Sequence, residues 1–158
     1  MRRLRPIHAL FIVLFFAGAV LAANYAFEGG FLRESYERVR PDTDGNVIVD
    51  IAELQANEVH FYRYLNYGNQ EVRFFVGRDE DGHVHVAFDA AENDFKLKRG
   101  FRFHDGWMVN NKCDTSLPLA EVGSRKGGCY PVPLEHQIVG DTVVIADSQI
   151  LRGWRFFR

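Results

Sequence analysis

Acidic–glycine turns set between apolar runs constrain this chain more than any other feature. Asp81-Gly82 stands between Val72–Val76 and Val84–Phe88, and Asp105-Gly106 stands between Phe101–Phe103 and Trp107–Val109. Gly140-Asp141 divides Gln137–Val139 from Val143–Ala146 in the same manner. A tight hairpin turn needs positive φ, which glycine adopts freely and aspartate tolerates. The flanking runs are β-branched and aromatic, as strands are. Val47–Val49 reads as a further strand, and Val59 to Tyr67 alternates aromatic with polar side chains as a half-buried strand does. Ile51 to Ala56 reads as a helical turn, and Asp147 is placed to cap a short helix through Leu151. The expectation is a mainly β domain, a β-rich α+β fold built on small antiparallel sheets. With 47% hydrophobic and 14% aromatic residues the chain can fill its core.

The amino terminus has a different character. Pro6 to Phe27 contain no Asp, Glu, Lys or Arg, and Arg2, Arg3 and Arg5 precede them. A span of that length suits one transmembrane helix, and the arginines favour a cytoplasmic start. A cleaved signal peptide ending near Val20-Leu21-Ala22 fits the same residues. Both readings place the β domain outside the cytoplasm, in the periplasm of a cell bounded by an inner membrane. Gly29-Gly30 breaks the apolar helix, and Phe31 to Arg40 has the spacing of a second, short helix: Arg33/Glu37 and Glu34/Arg38 are opposite charges four apart. Pro41 ends it, and Asp42-Thr43-Asp44-Gly45 marks a boundary. The expected organisation is an anchor or signal segment at 1–27, a juxtamembrane linker at 28–45, and an extracytoplasmic β-rich domain at 46–158.

Charge narrows the partners. The formal net charge is −2, and with three arginines ahead of the apolar run the remainder is mildly acidic. No basic stripe offers a nucleic acid a surface. No phosphate loop, dinucleotide fingerprint or nucleophile elbow is present, and no catalytic residue is assigned.

Several short blocks, in order, carry a resemblance. Val72-Arg73-Phe74-Phe75-Val76 is followed by Asp81-Gly82 and by Val86-Ala87-Phe88-Asp89-Ala90. Arg99-Gly100-Phe101-Arg102, Met108-Val109-Asn110 and Gly127-Gly128-Cys129-Tyr130-Pro131-Val132-Pro133-Leu134 come after. Over residues 46–158 this resembles the FtrD-like membrane iron–sulfur proteins. In that family the segment after Asp-Ala runs Cys-x-x-Cys, a later block runs Met-x-Cys-x-x-Cys, and a Gly-Gly-Cys block follows. The resemblance implies the fold, an extracytoplasmic domain, and a membrane system that handles iron and electrons. Here the first family cysteine is Ala91, the second Asp94 and the third Asn110, while Cys113 and Cys129 persist. An iron–sulfur cluster ordinarily takes four thiolates, so one chain of this sequence is short of ligands.

Three fates are open to Cys113 and Cys129, a redox-active pair ranking last because there is no Cys-x-x-Cys spacing and no adjacent helix amino terminus. In an oxidising compartment they can pair, closing a loop worth about 3 kcal/mol in the chain-entropy model. Alternatively they can join Asp94 and His85 or His104 around a single zinc, copper or iron ion. His83 and His85 alternate as residues on one strand face do, which equally describes a plain polar face. The functional expectation is a membrane-anchored accessory or structural subunit of a membrane complex, with no enzymatic activity and no cofactor. The alternative is a metal-handling protein serving iron or copper uptake or electron delivery.

Overall fold

The computed structural model describes residues 6–27, 35–92 and 100–157; in the first helix, side chains are described for residues 13–23. Two units result, Met1–Arg33 and Glu34–Arg158. The first contains helix α1, Pro6–Phe27, 22 residues with no charged side chain. Its described side chains, those of residues 13–23, are exposed. Among the described residues no helix is long and apolar enough to cross a membrane.

The second unit is mainly β. Its strands are β1 (Tyr36–Val39), β2 (Asn46–Asp50), β3 (Glu58–Leu65), β4 (Glu71–Arg78), β5 (Val84–Ala91), β6 (Phe101–His104), β7 (Trp107–Asn110), β8 (Ser116–Pro118), β9 (Pro131–Pro133), β10 (Gln137–Val139) and β11 (Thr142–Ala146). Helix α2, Asp147–Arg152, and a 3-10 turn, Gly153–Phe157, follow. A five-stranded sheet in the order β1-β3-β4-β5-β9 lies between two three-stranded sheets, β10-β11-β2 and β6-β7-β8. All pairings are antiparallel except β1 with β3, which run parallel.

Alternation along β4 explains the layering. Phe74 and Val76 point into one core with Tyr62, Val86, Phe88, Val143 and Ile145. Phe75, between them, points into the other with Phe61, Ala87, Phe101, Met108 and Leu117. A strand with both faces covered carries an unbroken apolar run, which is how Val72 to Val76 reads apart from Arg73. At two glycines a side chain has no room. A Cβ on Gly77 would stand 2.8 Å from Val59, and one on Gly153 would run into the Phe88 ring.

The three hairpins form where the turns place them. Gly82, Gly106 and Gly140 all have positive φ, as does Asp105. Over its described part, residues 35–40, the expected second helix does not form. Tyr36 to Val39 is a strand instead, because Tyr36 and Val39 gain partly buried places beside β3 that a solvated helix would not offer, and residues 28–34 lie outside the described residues. Ile51 to Ala56 is irregular, with a turn closed by Leu54 N donating to the Ile51 carbonyl. Asp147 opens α2 but does not cap it: the N-cap is Ala146, without a side-chain bond, and Asp147 lies in the first turn, where its charge suits the helix dipole.

Candidate functional site

Of the positions where the resemblance expects ligands, the described ones, Ala91, Asn110, Cys113 and Cys129, gather at one end of the β domain. Ala91 ends β5 and pairs with Pro131 at the start of β9, two residues after Cys129. Asn110 ends β7, and Cys113 follows it in the turn before β8. Cys113 and Cys129 are joined by a disulfide, S–S 2.03 Å, and no cysteine is free. Both cysteines are half-buried.

Asn110 is the centre of this end. It is fully buried, and its amide addresses both segments that the disulfide ties. Its Oδ1 accepts from Lys112 N at 2.8 Å and Cys113 N at 3.1 Å. Its Nδ2 donates to the Cys129 carbonyl at 3.0 Å. Its backbone N–H and carbonyl bond Thr115 and Asp114, closing the turn around it. A buried amide left unpaired would be costly, and here both ends are used. Ala91 is fully buried in the core beside Phe101 and Met108 and offers no donor atom. Asp94 lies outside the described residues. The donors at the described positions do not fit a four-thiolate cluster: two sulfurs are bonded to each other, one position is aliphatic, and the asparagine amide is engaged.

Next to this end a buried carboxylate fixes the approach of β6. Asp89 is 1% exposed. It accepts from Phe101 N at 2.6 Å and from the Tyr36 hydroxyl at 2.7 Å, with Arg73 Nε 3.7 Å away. Arg73 also lies over the Tyr36 ring. Gly100 adjoins this carboxylate with φ +62, and any Cβ there would run into the Asp89 oxygens. Phe101 pairs with Asn110 across the β6–β7 hairpin, so Asp89 indirectly positions the asparagine. These contacts give Asp89 a structural part: it joins β1, β4 and β6.

The histidine candidates lie elsewhere. His104 pairs with Trp107 at the turn end of the β6–β7 hairpin, three residues from the Phe101–Asn110 end, about 10 Å along the strand. His85 is six residues before Ala91 on β5, about 20 Å away by the same rise. Its Nε2 lies 2.8 Å from Asp79 Oδ2 and its Nδ1 3.3 Å from the Val122 carbonyl. Of the expected mononuclear ligands that are described, the cysteines meet each other, and His85 and His104 lie away from them. His83 precedes β5 rather than sharing its face with His85, although it too approaches Asp79, at 3.5 Å. Among the described residues no group of three or more His, Cys, Asp or Glu side chains is placed to hold a metal ion. Burial acts to raise the Asp79 pKa. The His85 hydrogen bond, the His83 backbone N–H and the two imidazoles outweigh it and hold the group below its ordinary value.

A second feature is an open groove of about 360 Å3 where β1 and β3 face β2. Glu37, Asp50 and Glu53 supply carboxylates, and Val39, Ile48 and Leu54 supply aliphatic wall. Tyr62 is 4% exposed, with its ring stacked on Phe74. Its hydroxyl makes no hydrogen bond among the described residues. Burial, with Glu37, Asp50 and Glu58 close by, pushes its pKa up to about 12.

Neither Asn110 nor the groove is legible as a site in the sequence. An asparagine in a turn is ordinary, and only its place in the Met-x-Cys-x-x-Cys block singles it out. No curated protein and no solved structure shows a significant match to this chain. A family model does match, over residues 54–157, and its description is membrane iron-sulfur containing protein FtrD-like. Spanning about two thirds of the chain, with the disulfide and Asn110 inside it, that match means the chain belongs to the FtrD-like family.

Proposed function

We propose that this chain is an anchored accessory subunit of a membrane complex, its extracytoplasmic domain stapled by a disulfide where its family holds a cluster. The single observation that carries this reading is the Cys113–Cys129 bond with Asn110 bonded to both of its segments. At the third cysteine position a side chain with no affinity for iron performs the tethering that a ligand would perform. The scaffold is kept and the electron-carrying centre is not. The family is membrane-associated. The sequence supports the anchor: Pro6 to Phe27 carry no charged residue, and the arginines ahead of them favour the cytoplasm. A structural disulfide suits the oxidising side of such a membrane.

Anaerobic purification of the full-length chain, followed by iron and acid-labile sulfide analysis, tests the reading. The expected product is colourless, and its intact mass without reductant is two hydrogens below that of the dithiol. A brown protein with stoichiometric iron and sulfide would overturn it.

A further inference from the structure

The groove between β1, β3 and β2 has the chemistry of a receptor for one organic cation. Glu37, Asp50 and Glu53 have no cationic partner among the described residues. Asp50 accepts only the nearby Ala52 N–H, and Glu58, close to Tyr62, is shared between Gln55 N and His60. Beneath them the Tyr62 hydroxyl is the polar end of a nine-tenths buried side chain, and it is unpartnered. Its oxygen opens into the groove rather than being sealed in the core, so a ligand lying there can reach it.

The spacing selects the ligand. Among the described residues no three of these carboxylate side chains are placed to hold a metal ion together. They suit a larger cation that donates several hydrogen bonds at once, and a guanidinium has five donors in one plane. Val39, Ile48 and Leu54 offer an apolar track for the methylene stem that carries such a group. β1 and β2 are both edge strands of their sheets, so an extended segment can lie along this margin. The volume is at the lower end of the roughly 300–1,000 Å3 range of ligand sites, fitting a side chain rather than a cofactor.

We propose that this groove receives an arginine side chain from an extended extracytoplasmic segment of the partner membrane subunit. The inference rests on the accessory-subunit reading and names the chemistry of the partner. The aliphatic walls hold the stem, the carboxylates face the guanidinium, and the Tyr62 hydroxyl accepts one of its N–H groups.

The probe is a capped Val-Arg-Val tripeptide, titrated into the full-length chain in detergent micelles while the Tyr62 and His60 resonances are followed by NMR. The same peptide with citrulline in place of arginine keeps the shape and removes the charge. Saturable shifts with the arginine peptide and none with citrulline are expected. Glu37→Gln combined with Asp50→Asn should weaken binding roughly tenfold, and Tyr62→Phe, which keeps the ring stack, should weaken it about fivefold. Equal response to both peptides, or none to either, overturns the proposal. Broadening of these resonances by Mn2+ with no response to the peptide overturns it in favour of a metal site. Co-purification from native membranes separates the two readings. A complex that survives the double substitution unchanged rejects the groove and leaves the accessory reading standing. A wild-type chain that brings down no membrane subunit rejects the accessory reading, and with it the partner assigned here.

Discussion

Replacing Asn110 with alanine should destabilise the oxidised protein by about 3 kcal/mol, and the disulfide should determine how much of that loss is felt. The magnitude comes from three hydrogen bonds, to Lys112 N, Cys113 N and the Cys129 carbonyl, at about 1 kcal/mol net each. Asn110 is fully buried, so no water replaces the amide. Reducing the wild-type disulfide should cost a similar amount, about 3 kcal/mol, from the entropy of a loop whose ends are 16 residues apart. The two losses should not add. Asn110 bonds the two segments that the disulfide holds together, so once the bond is reduced those segments can part in the folded state and the amide has less to hold. Reduction of Asn110→Ala should therefore cost at least about 1 kcal/mol less than reduction of the wild type, as expected for groups sharing partners. Urea denaturation of the full-length chain in micelles, oxidised and reduced, gives all four corners of the cycle. Strict additivity within about 0.5 kcal/mol, or a loss under about 1 kcal/mol for the oxidised variant, would refute the reasoning.

Three further outcomes follow from the same structure. Tyr36→Phe removes the hydroxyl that donates to buried Asp89 and should cost about 2 kcal/mol in the same denaturation assay, since bonds to charged groups are the stronger ones; an unchanged midpoint would show that β1 does not hold the carboxylate. Gly100→Ala meets both the Asp89 carboxylate and a φ of +62, and should leave soluble-expression assays with little folded protein, whereas Gly82→Ala, with open space around its Cβ and only φ to pay, should still fold. Asp79 has its folded pKa below the unfolded value of about 3.9, so its contribution is present above that pH and lost as pH falls through the lower folded value. Acid titration of stability should therefore be shallower below pH about 4 in Asp79→Asn than in the wild type, and parallel curves would remove the histidine contacts as its cause.

Hairpins were readable because each depends on two or three adjacent residues: Asp81-Gly82 and Asp105-Gly106 force the backbone whatever lies around them. The antiparallel, mainly β character followed from those turns. What escaped the sequence depends on residues far apart. Phe31 to Arg40 carries helical charge spacing worth a few tenths of a kcal/mol per pair, yet the Tyr36 ring edge-on to Phe61 and its bond to Asp89 outweigh it, so the segment pairs with β3. β8 and β9, three residues each, have no period long enough to detect, and their pairing is set by β7 and β5. The candidate site divides along the same line. Counting cysteines against the family pattern singled out Cys113 and Cys129 and made a disulfide the first of their fates, which the structure forms. Asn110 appeared in that count as a missing ligand. Its positive role required the β6–β7 hairpin to bring it beside Cys129, 19 residues later, and only tertiary structure does that. Where the resemblance expects a thiolate, the structure has an amide clamp. If the clamp is what lets the scaffold persist without a metal, then Asn110→Cys should not restore a cluster by itself. The new thiol would face a disulfide already closed, and it would remove the amide that closes the turn. The expected result is a less stable, colourless protein. Iron bound at stoichiometric level by that single variant would show that the scaffold still selects for metal and that the amide is incidental.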